Sequence, residues 1–182
     1  MSSIRVATSG PDDTRAVGAA VARRLRPGDV VALSGELGAG KTCFVQGAAA
    51  ALGVTVRVTS PTFVLLHTYP GEVPVVHGDV YRLGTLRDVL DLGEDVFAPD
   101  VVTFLEWGDA IAALLPDDHL EVVLRHADLD AALDASAAPD ELAAPRELEL
   151  RGHGRHADLP AALAGELAGG GVRVVAGPAG SS

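Results

Sequence analysis

Stretches of continuous apolar residues alternate along the chain with stretches in which apolar residues recur every three or four positions. The continuous stretches predict buried strands, and the clearest are residues 29–34, 101–105 and 120–124. The first periodic stretch begins at Pro11 and carries Val17, Val21 and Leu25 at spacing four, which predicts a helix with one apolar face. Strands that alternate with helices are typical of an α/β domain, and adjacent late strands indicate a mixed sheet.

Shorter patterns complete the predicted order of elements. The further predicted strands are 4–8, 63–69, 73–77, 146–151 and 172–175, and the further predicted helices are 41–52, 85–92, 109–115 and 160–167. Charged and apolar residues alternate over 146–151, which is typical of a strand with one solvated face. Residues 126–145 show no period and predict a variable insertion. We therefore expect a domain over residues 1–152 and a partly ordered Gly- and Ala-rich extension over 153–182.

The composition narrows the possible functions. The chain has 182 residues and a formal net charge of −11, so its own field does not favour direct binding to nucleic acid. Cys43 is the single cysteine, which excludes a disulfide framework and a cysteine-based zinc site and fits a cytoplasmic location. Residues 1–5 contain no apolar signal segment, and no run of apolar residues is long enough to predict a membrane span. Lys41 is the only lysine among 14 basic residues.

Residues 35–42 match the pattern G-x-x-x-x-G-K-[ST] between a predicted apolar strand and a predicted helix. The glycines allow backbone N–H groups to turn toward phosphate oxygens, and the helix N-terminus also favours an anion. In this pattern Lys41 reaches the β- and γ-phosphates, and the Thr42 hydroxyl binds Mg²⁺. The alternative is a glycine-rich turn with a chance GKT, which does not require the flanking strand and helix. The predicted nucleotide contacts are Gly35, Glu36, Leu37, Gly38, Ala39, Gly40, Lys41 and Thr42.

Two acidic residues near the ends of predicted strands are candidates for the carboxylate that a P-loop enzyme places near its metal. Glu106 directly follows 101–105, and Asp79 lies shortly after 73–77. We assign Glu106 to the metal, directly or through water, and Asp79 to the attacking water or the remaining metal ligands. These roles could be exchanged. The alternatives are a solvated acid for Glu106 and a turn or cap residue for Asp79.

Four neighbouring side chains have two interpretations each. A single histidine at a strand end, His77, is more often structural than part of a site, and Trp107 fits packing better than nucleobase binding. Cys43, in the first turn of the predicted helix, fits a small packing residue better than a reactive thiol. Arg82 could neutralise phosphate charge or pair with an acid, and the sequence leaves both open.

Four segments together resemble the TsaE (formerly YjeE) family of bacterial P-loop ATPases. They are Ser34-Gly-Glu-Leu-Gly-Ala-Gly-Lys-Thr42, Val58-Thr-Ser-Pro-Thr-Phe63, His77-Gly-Asp-Val-Tyr-Arg-Leu83 and Leu105-Glu-Trp107. The resemblance covers about residues 4–125, with a looser match over 146–152. Ser-Pro-Thr-Phe and Asp-x-Tyr-Arg are not general P-loop features, so their combination is specific.

The resemblance implies a P-loop NTPase-like, three-layer domain around a mixed, mainly parallel sheet. It implies weak, Mg²⁺-dependent ATPase activity, with ATP and ADP as ligands, that requires a TsaD–TsaB-like complex. In this family the activity supports threonylcarbamoyladenosine modification of tRNA. The partners would hold the tRNA, which agrees with the acidic net charge of the chain.

The resemblance also assigns residues by position. It places Lys41 and Thr42 at the phosphates and Mg²⁺, Glu106 at the metal and Asp79 beside the γ-phosphate. It places further residues near the adenine, Asp13 and Thr14, and makes 59–62 a segment that responds to the nucleotide. Gly78 departs from the family pattern, which more often has a larger residue there.

Two other functions fit a phosphate loop. A small-molecule P-loop kinase usually has an arginine-bearing lid, and the candidate lid, 126–145, contains no arginine. A nucleotide-dependent binding switch without useful turnover would be favoured if neither Asp79 nor Glu106 approached the γ-phosphate.

Overall fold

The computed structural model describes residues 2–61, 65–81, 94–127 and 145–176. Eight strands in these ranges form one sheet. They are β1 (Ser3–Thr8), β2 (Val30–Gly35), β3 (Leu66–Tyr69), β4 (Val75–Asp79), β5 (Val102–Glu106), β6 (His119–His126), β7 (Arg146–Gly152) and β8 (Arg173–Ala176). Their order across the sheet is β3-β4-β5-β2-β6-β7-β1-β8.

The helices within these ranges are α1 (Pro11–Ala22), α2 (Lys41–Ala51) and α3 (Leu159–Gly169), with 3₁₀ segments at Glu94–Phe97, Gly108–Leu114 and Gly154–His156. Helix α1 begins at Pro11, as predicted, because proline at the first helical position leaves no N–H without an acceptor. The predicted helix 109–115 is wrong in type, since Ile111 (φ −121°, ψ 23°) interrupts the helical backbone. No helix in the described ranges is long and apolar enough to cross a membrane.

The sheet is mixed, as predicted, and its parallel part lies at the centre. Among the described strands, β4, β5, β2 and β6 form three parallel pairs, and the other four pairs are antiparallel. The parallel share is therefore smaller than the resemblance implies. The reason is that β3 runs back against β4, and β7 runs back against β6 before β1 and β8 extend that side.

Helical segments cover both faces of the central strands, which gives the predicted three layers. On one face, alternate residues such as Val31 and Leu33 belong to the main core, which α1, α2 and α3 complete. On the other face, Val30 and Leu105 pack with Ile111 in a smaller cluster, to which the 3₁₀ segments on either side of β5 contribute. The parallel strands are thus buried on both faces, as their continuous apolar sequences require.

Helices α1 and α2 approach each other closely at two glycines. A Cβ at Gly18 would lie 2.2 Å from the Phe44 carbonyl oxygen, and a Cβ at Gly47 would lie 2.0 Å from that of Arg15. Neither position can hold a larger side chain unless a helix moves. This contact sets where the N-terminal ends of both helices lie relative to the end of β2.

Residues 153–176 are joined to the same sheet. Strand β8 pairs with β1, and the Arg155 and His156 side chains contact the buried carboxylate of Asp29, just before β2. Glu166 of α3 pairs with Arg23 and Arg24 at 2.9 and 3.0 Å. The division of the chain at residue 152 stays a prediction. Of the predicted insertion 126–145, only the two ends lie in the described ranges.

Candidate nucleotide-binding site

The glycine-rich segment 35–42 connects the end of β2 to the start of α2. Gly35 has φ +136°, and a Cβ there would lie 2.1 Å from the Leu124 carbonyl oxygen, so this position requires glycine. Gly40 has φ +102° and directly precedes Lys41, the first residue of α2. The loop therefore ends at a helix N-terminus, where the unpaired N–H groups of the first turn favour an anion.

The Lys41 side chain lies inside this loop and is only 5% exposed. Its ammonium group donates hydrogen bonds to the carbonyl oxygens of Gly35 (2.7 Å) and Glu36 (2.9 Å). It also lies 3.9 Å from the centre of the Trp107 ring, a cation–π contact. Burial lowers the pKa of Lys41, and the nearby carboxylates of Glu106, Asp79 and Asp109 oppose that shift.

Thr42, the second residue of α2, contacts the predicted metal-side carboxylate. Its hydroxyl donates to Glu106 Oε1 at 2.7 Å. The same oxygen lies 2.9 Å from His77 Nε2 on the adjacent strand β4. Glu106 is therefore not a solvated acid, because it is 4% exposed and lies in a hydrogen-bonded group with Thr42 and His77. The structural interpretation of His77 is also too narrow, since its ring contacts the site directly.

Asp79 lies opposite Glu106 in the parallel register of β4 and β5. It is 3% exposed, and its Oδ1 accepts a hydrogen bond from the Tyr81 backbone N–H at 3.0 Å. The side chain thus has the turn role that the sequence left open, and it still lies on the same edge of the sheet as Glu106. The structure brings together both predicted acids, whereas their division of roles stays a prediction.

A cavity of about 430 Å³ opens over the loop and α2. The predicted residues that line it are Thr14, Leu37, Gly38, Gly40, Lys41, Thr42 and Glu106. Other predicted residues do not line it, namely Asp13, Gly35, Glu36, Ala39 and Asp79. Of these, Gly35 and Glu36 contribute carbonyl oxygens to Lys41, and Ala39 is buried in the main core.

The two residues assigned to the adenine differ in position. Thr14 lines the cavity, and its hydroxyl is 3.2 Å from both Thr8 Oγ1 and the Gly10 carbonyl oxygen. Asp13 instead accepts hydrogen bonds from the hydroxyl and the backbone N–H of Ser9, and both lower its pKa. Thr14 therefore lies at the cavity, whereas the carboxylate of Asp13 has a local role at the start of α1. The assignment of both residues to the adenine stays a prediction.

Residues outside the predicted nucleotide contacts also line the cavity: Gly10, Pro11, Cys43, Ser60, Trp107 and Arg146. Of these, Ser60 belongs to the segment 59–62 that the resemblance makes responsive to the nucleotide. Arg146 begins β7 and donates to the Gly38 carbonyl oxygen at 3.3 Å. Only the antiparallel pairing of β7 with β1 and β6 brings it there, so no local motif could have predicted it. Trp107 also packs 4.8 Å from the Tyr81 ring, which agrees with the predicted packing role.

Three predictions fall outside the described residues. They concern Arg82, the helix 85–92 and the last residue of the Thr59-Ser-Pro-Thr62 segment. In the described part of that segment, residues 59–61, the Tyr69 hydroxyl contacts both the N–H and the carbonyl oxygen of Thr59, at 3.3 and 3.4 Å.

A glycine loop between a parallel strand and a helix, with a carboxylate on the neighbouring parallel strand, defines a P-loop protein of the α/β class. The family model for threonylcarbamoyl adenosine biosynthesis protein TsaE matches residues 8–133. This match spans more than half of the sequence, so the chain belongs to the TsaE family.

Individual relatives agree with this assignment. A Treponema pallidum protein named tRNA threonylcarbamoyladenosine biosynthesis protein TsaE is 44% identical over 124 residues, which are 67% of this chain and 91% of the relative. A Bacillus subtilis protein of the same name is 39% identical over 128 residues, 70% of this chain and 80% of the relative. The crystal structure of Bacillus subtilis YdiB matches with a TM-score of 0.67 and 30% identity, covering 93% of this chain and 96% of that one. The predicted fold class is confirmed.

Proposed function

We propose that this chain is a Mg²⁺-dependent ATPase that supports threonylcarbamoyladenosine modification of tRNA by acting on a TsaD–TsaB-like complex in the cytoplasm. The observation that carries the proposal is the contact between Thr42 and Glu106, 2.7 Å apart at the mouth of the phosphate loop that contains Lys41. The names of the relatives support the place in tRNA modification.

The residues present fit a nucleotide with its magnesium ion. Hydroxyl and carboxylate oxygens are ligands that Mg²⁺ prefers, so Thr42 and Glu106 would hold the ion. When bound, the ion neutralises phosphate charge and polarises the bond to be cleaved. Lys41 now donates to two loop carbonyl oxygens and would donate to phosphate oxygens instead. Asp79, buried beside Glu106, would orient the attacking water.

The acidic composition supports an indirect relation to tRNA. With a net charge of −11, this chain is repelled by a polyanion unless basic residues are concentrated on one face. Several of its arginines are engaged in ion pairs, including Arg23, Arg24, Arg151 and Arg155. The proposal therefore assigns tRNA binding to the partner complex.

ATP hydrolysis by the purified chain, alone and with a TsaD–TsaB pair, tests this proposal. We expect slow hydrolysis alone and a clear increase with the pair, and the Lys41→Ala variant should show neither. Equal rates with and without the pair would contradict the partner dependence. Phosphate transfer to a small acceptor would favour a kinase, and nucleotide binding without turnover under any condition would favour a binding switch.

A further inference from the structure

We infer that His77 is a positioning residue for Glu106, holding one carboxylate oxygen beside the Thr42 hydroxyl. This inference deepens the proposed function and rests on it, because it concerns the carboxylate that we assign to the metal. It also favours the less common of the two interpretations that the sequence left for His77, in which the ring is part of the site.

The strand register aims the imidazole at Glu106. His77 lies opposite Phe104 in the parallel pair of β4 and β5, and Glu106 is two residues further along β5. Residues two apart on a strand share a face, so a long side chain at 77 reaches a side chain at 106 across the pair. The observed separation of Nε2 and Oε1 is 2.9 Å, within ordinary hydrogen-bond range.

The hydrogen-bond chemistry gives this contact a direction. An ionised carboxylate only accepts hydrogen bonds, so Nε2 carries the hydrogen and donates it to Glu106. The other ring nitrogen, Nδ1, is buried without a hydrogen-bond partner among the described residues. Glu106 is therefore the polar partner of the ring in this part of the chain. The ring of His77 is completely buried. If it only filled space, both nitrogens would lose their hydrogen bonds to water and gain none in the protein, which is unfavourable.

Two donors on one oxygen restrict the carboxylate more than one donor does. Thr42 and His77 both donate to Glu106 Oε1, and they approach from different elements, α2 and β4. The hydroxyl of Thr42 can rotate away when it binds a cation, whereas the imidazole is fixed within the sheet. His77 thus keeps Glu106 in place at the moment when Thr42 changes its partner, a role that outer hydrogen-bond partners have in many metal sites.

The test measures how strongly Mg²⁺ tightens ADP binding, as the ratio of the ADP dissociation constants without and with Mg²⁺, by calorimetry. Three variants are compared: His77→Leu, His77→Gln and His77→Asn. The amide N of glutamine can reach the position of Nε2, whereas that of asparagine lies nearer Nδ1. We expect the leucine variant to reduce the ratio about tenfold or more, glutamine to restore most of it and asparagine little. ADP affinity without Mg²⁺ should stay nearly unchanged in all three.

An unchanged ratio in His77→Leu would overturn the inference, and so would a glutamine variant that folds and yet fails as the leucine variant does. If His77→Leu does not fold, the ratios of His77→Gln and His77→Asn are compared instead. A clearly larger ratio for the glutamine variant supports the inference, and equal ratios overturn it. If Mg²⁺ has no effect on ADP binding in the wild-type chain, the proposed function itself fails, which is a separate result.

A second measurement needs no nucleotide. ¹⁵N-detected NMR of the imidazole rings, with His77 assigned from the His77→Gln spectrum, reports which nitrogen carries the hydrogen. We expect Nε2–H with a lone pair on Nδ1, and a shift of the Nε2–H signal in Glu106→Ala. A hydrogen on Nδ1 alone, or a signal that Glu106→Ala leaves unmoved, would contradict the contact.

Discussion

The antiparallel and the parallel parts of the sheet both bury charged groups, but they treat them differently. In the antiparallel part, the buried carboxylate of Glu149 on β7 is paired with Arg151 at 3.0 Å and Arg125 at 3.3 Å. At the edge of the parallel part, Glu106 on β5 and Lys41 at the start of α2 are about equally buried. Among the described residues, Lys41 forms no ion pair, and the only ionisable partner of Glu106 is the imidazole of His77, which carries a charge only when it is protonated. Their hydrogen bonds go to backbone carbonyl oxygens, a hydroxyl and an imidazole.

This difference indicates that buried charge is structural in the antiparallel part and functional at the edge of the parallel part. Hydrogen bonds from Arg151 hold the pKa of Glu149 below its usual range, so this carboxylate stabilises the folded state. Burial lowers the pKa of Lys41, so its ammonium group has a cost in the folded protein. Such a cost is typical of groups kept ready for a ligand, because a bound phosphate supplies the missing countercharge.

The largest effect is expected from Lys41→Ala, which removes the cation from the parallel side. ATP turnover should fall about 1,000-fold or more, because the charge opposite the phosphates is lost. Lys41→Arg should also be strongly impaired, since the planar guanidinium does not fit the buried position of a compact ammonium. Steady-state hydrolysis is the measurement, with Arg23→Ala as a remote control. Wild-type turnover in Lys41→Ala would remove the basis of the site.

Glu106→Ala tests the acid on the same side. Mg²⁺-dependent hydrolysis should fall at least about 100-fold, because a metal contributes several kcal/mol to phosphate chemistry, whereas ADP binding without Mg²⁺ should change little. Hydrolysis rates and ADP titrations measure the two effects separately. Asp109→Asn, an exposed acid near Lys41, is the matched control and should stay close to wild type. Equal losses of hydrolysis and of ADP binding would indicate that Glu106 is structural.

Gly47→Ala tests the close contact between α1 and α2 that positions the site, and it leaves the charged residues of the site unchanged. The added Cβ would lie 2.0 Å from a backbone oxygen of α1, so the free energy of unfolding should fall by up to about 3 kcal/mol. Urea unfolding measures this loss. The control is Gly165→Ala in α3, where a Cβ has nothing within 4 Å and alanine favours the helix. A Gly47→Ala variant as stable as the Gly165→Ala variant would show that α1 and α2 can separate freely.

Glu149→Gln tests the antiparallel side and has the smallest expected effect. Near pH 7 the free energy of unfolding should fall by about 1 kcal/mol, because a charged hydrogen-bond acceptor is replaced by a neutral one. The folded pKa of Glu149 lies below its usual 4.5, so its contribution is present above that pH and is lost as the pH falls through the folded pKa. The difference between wild type and variant should therefore shrink below about pH 4.5 in urea unfolding series. A difference that grows with acidity would contradict this sign.

The sequence predicts the parts of the site that are local in the chain. The loop 35–42 is recognised because strand, glycines, lysine and helix are consecutive, and Glu106 because it ends a continuous apolar run. The contact of His77 with Glu106 joins residues 29 positions apart and depends on strand register. The available signal was the position of His77 at the end of the predicted strand 73–77, two residues before the candidate acid Asp79, since residues two apart share a face if the strand continues.

Other features depend on long-range pairing and could not be predicted. Arg146 reaches the loop only because β7 returns beside β6 and β1. The alternation over 146–151 predicts a strand correctly, but the face that was expected to be solvated carries the nearly buried Glu149. Its burial follows from arginines on neighbouring strands, such as Arg125, which sequence periodicity does not reveal.

The change in melting temperature on adding MgADP tests the central claim, that buried charge is functional on the parallel side and structural on the antiparallel side. A ligand that binds only the folded state raises the melting temperature by an amount that grows with the logarithm of its affinity at a fixed ligand concentration. We predict a clear rise for wild type, no rise for Lys41→Ala, and the full wild-type rise for Glu149→Gln from a lower starting temperature. A rise that persists in Lys41→Ala, or disappears in Glu149→Gln, would contradict the account.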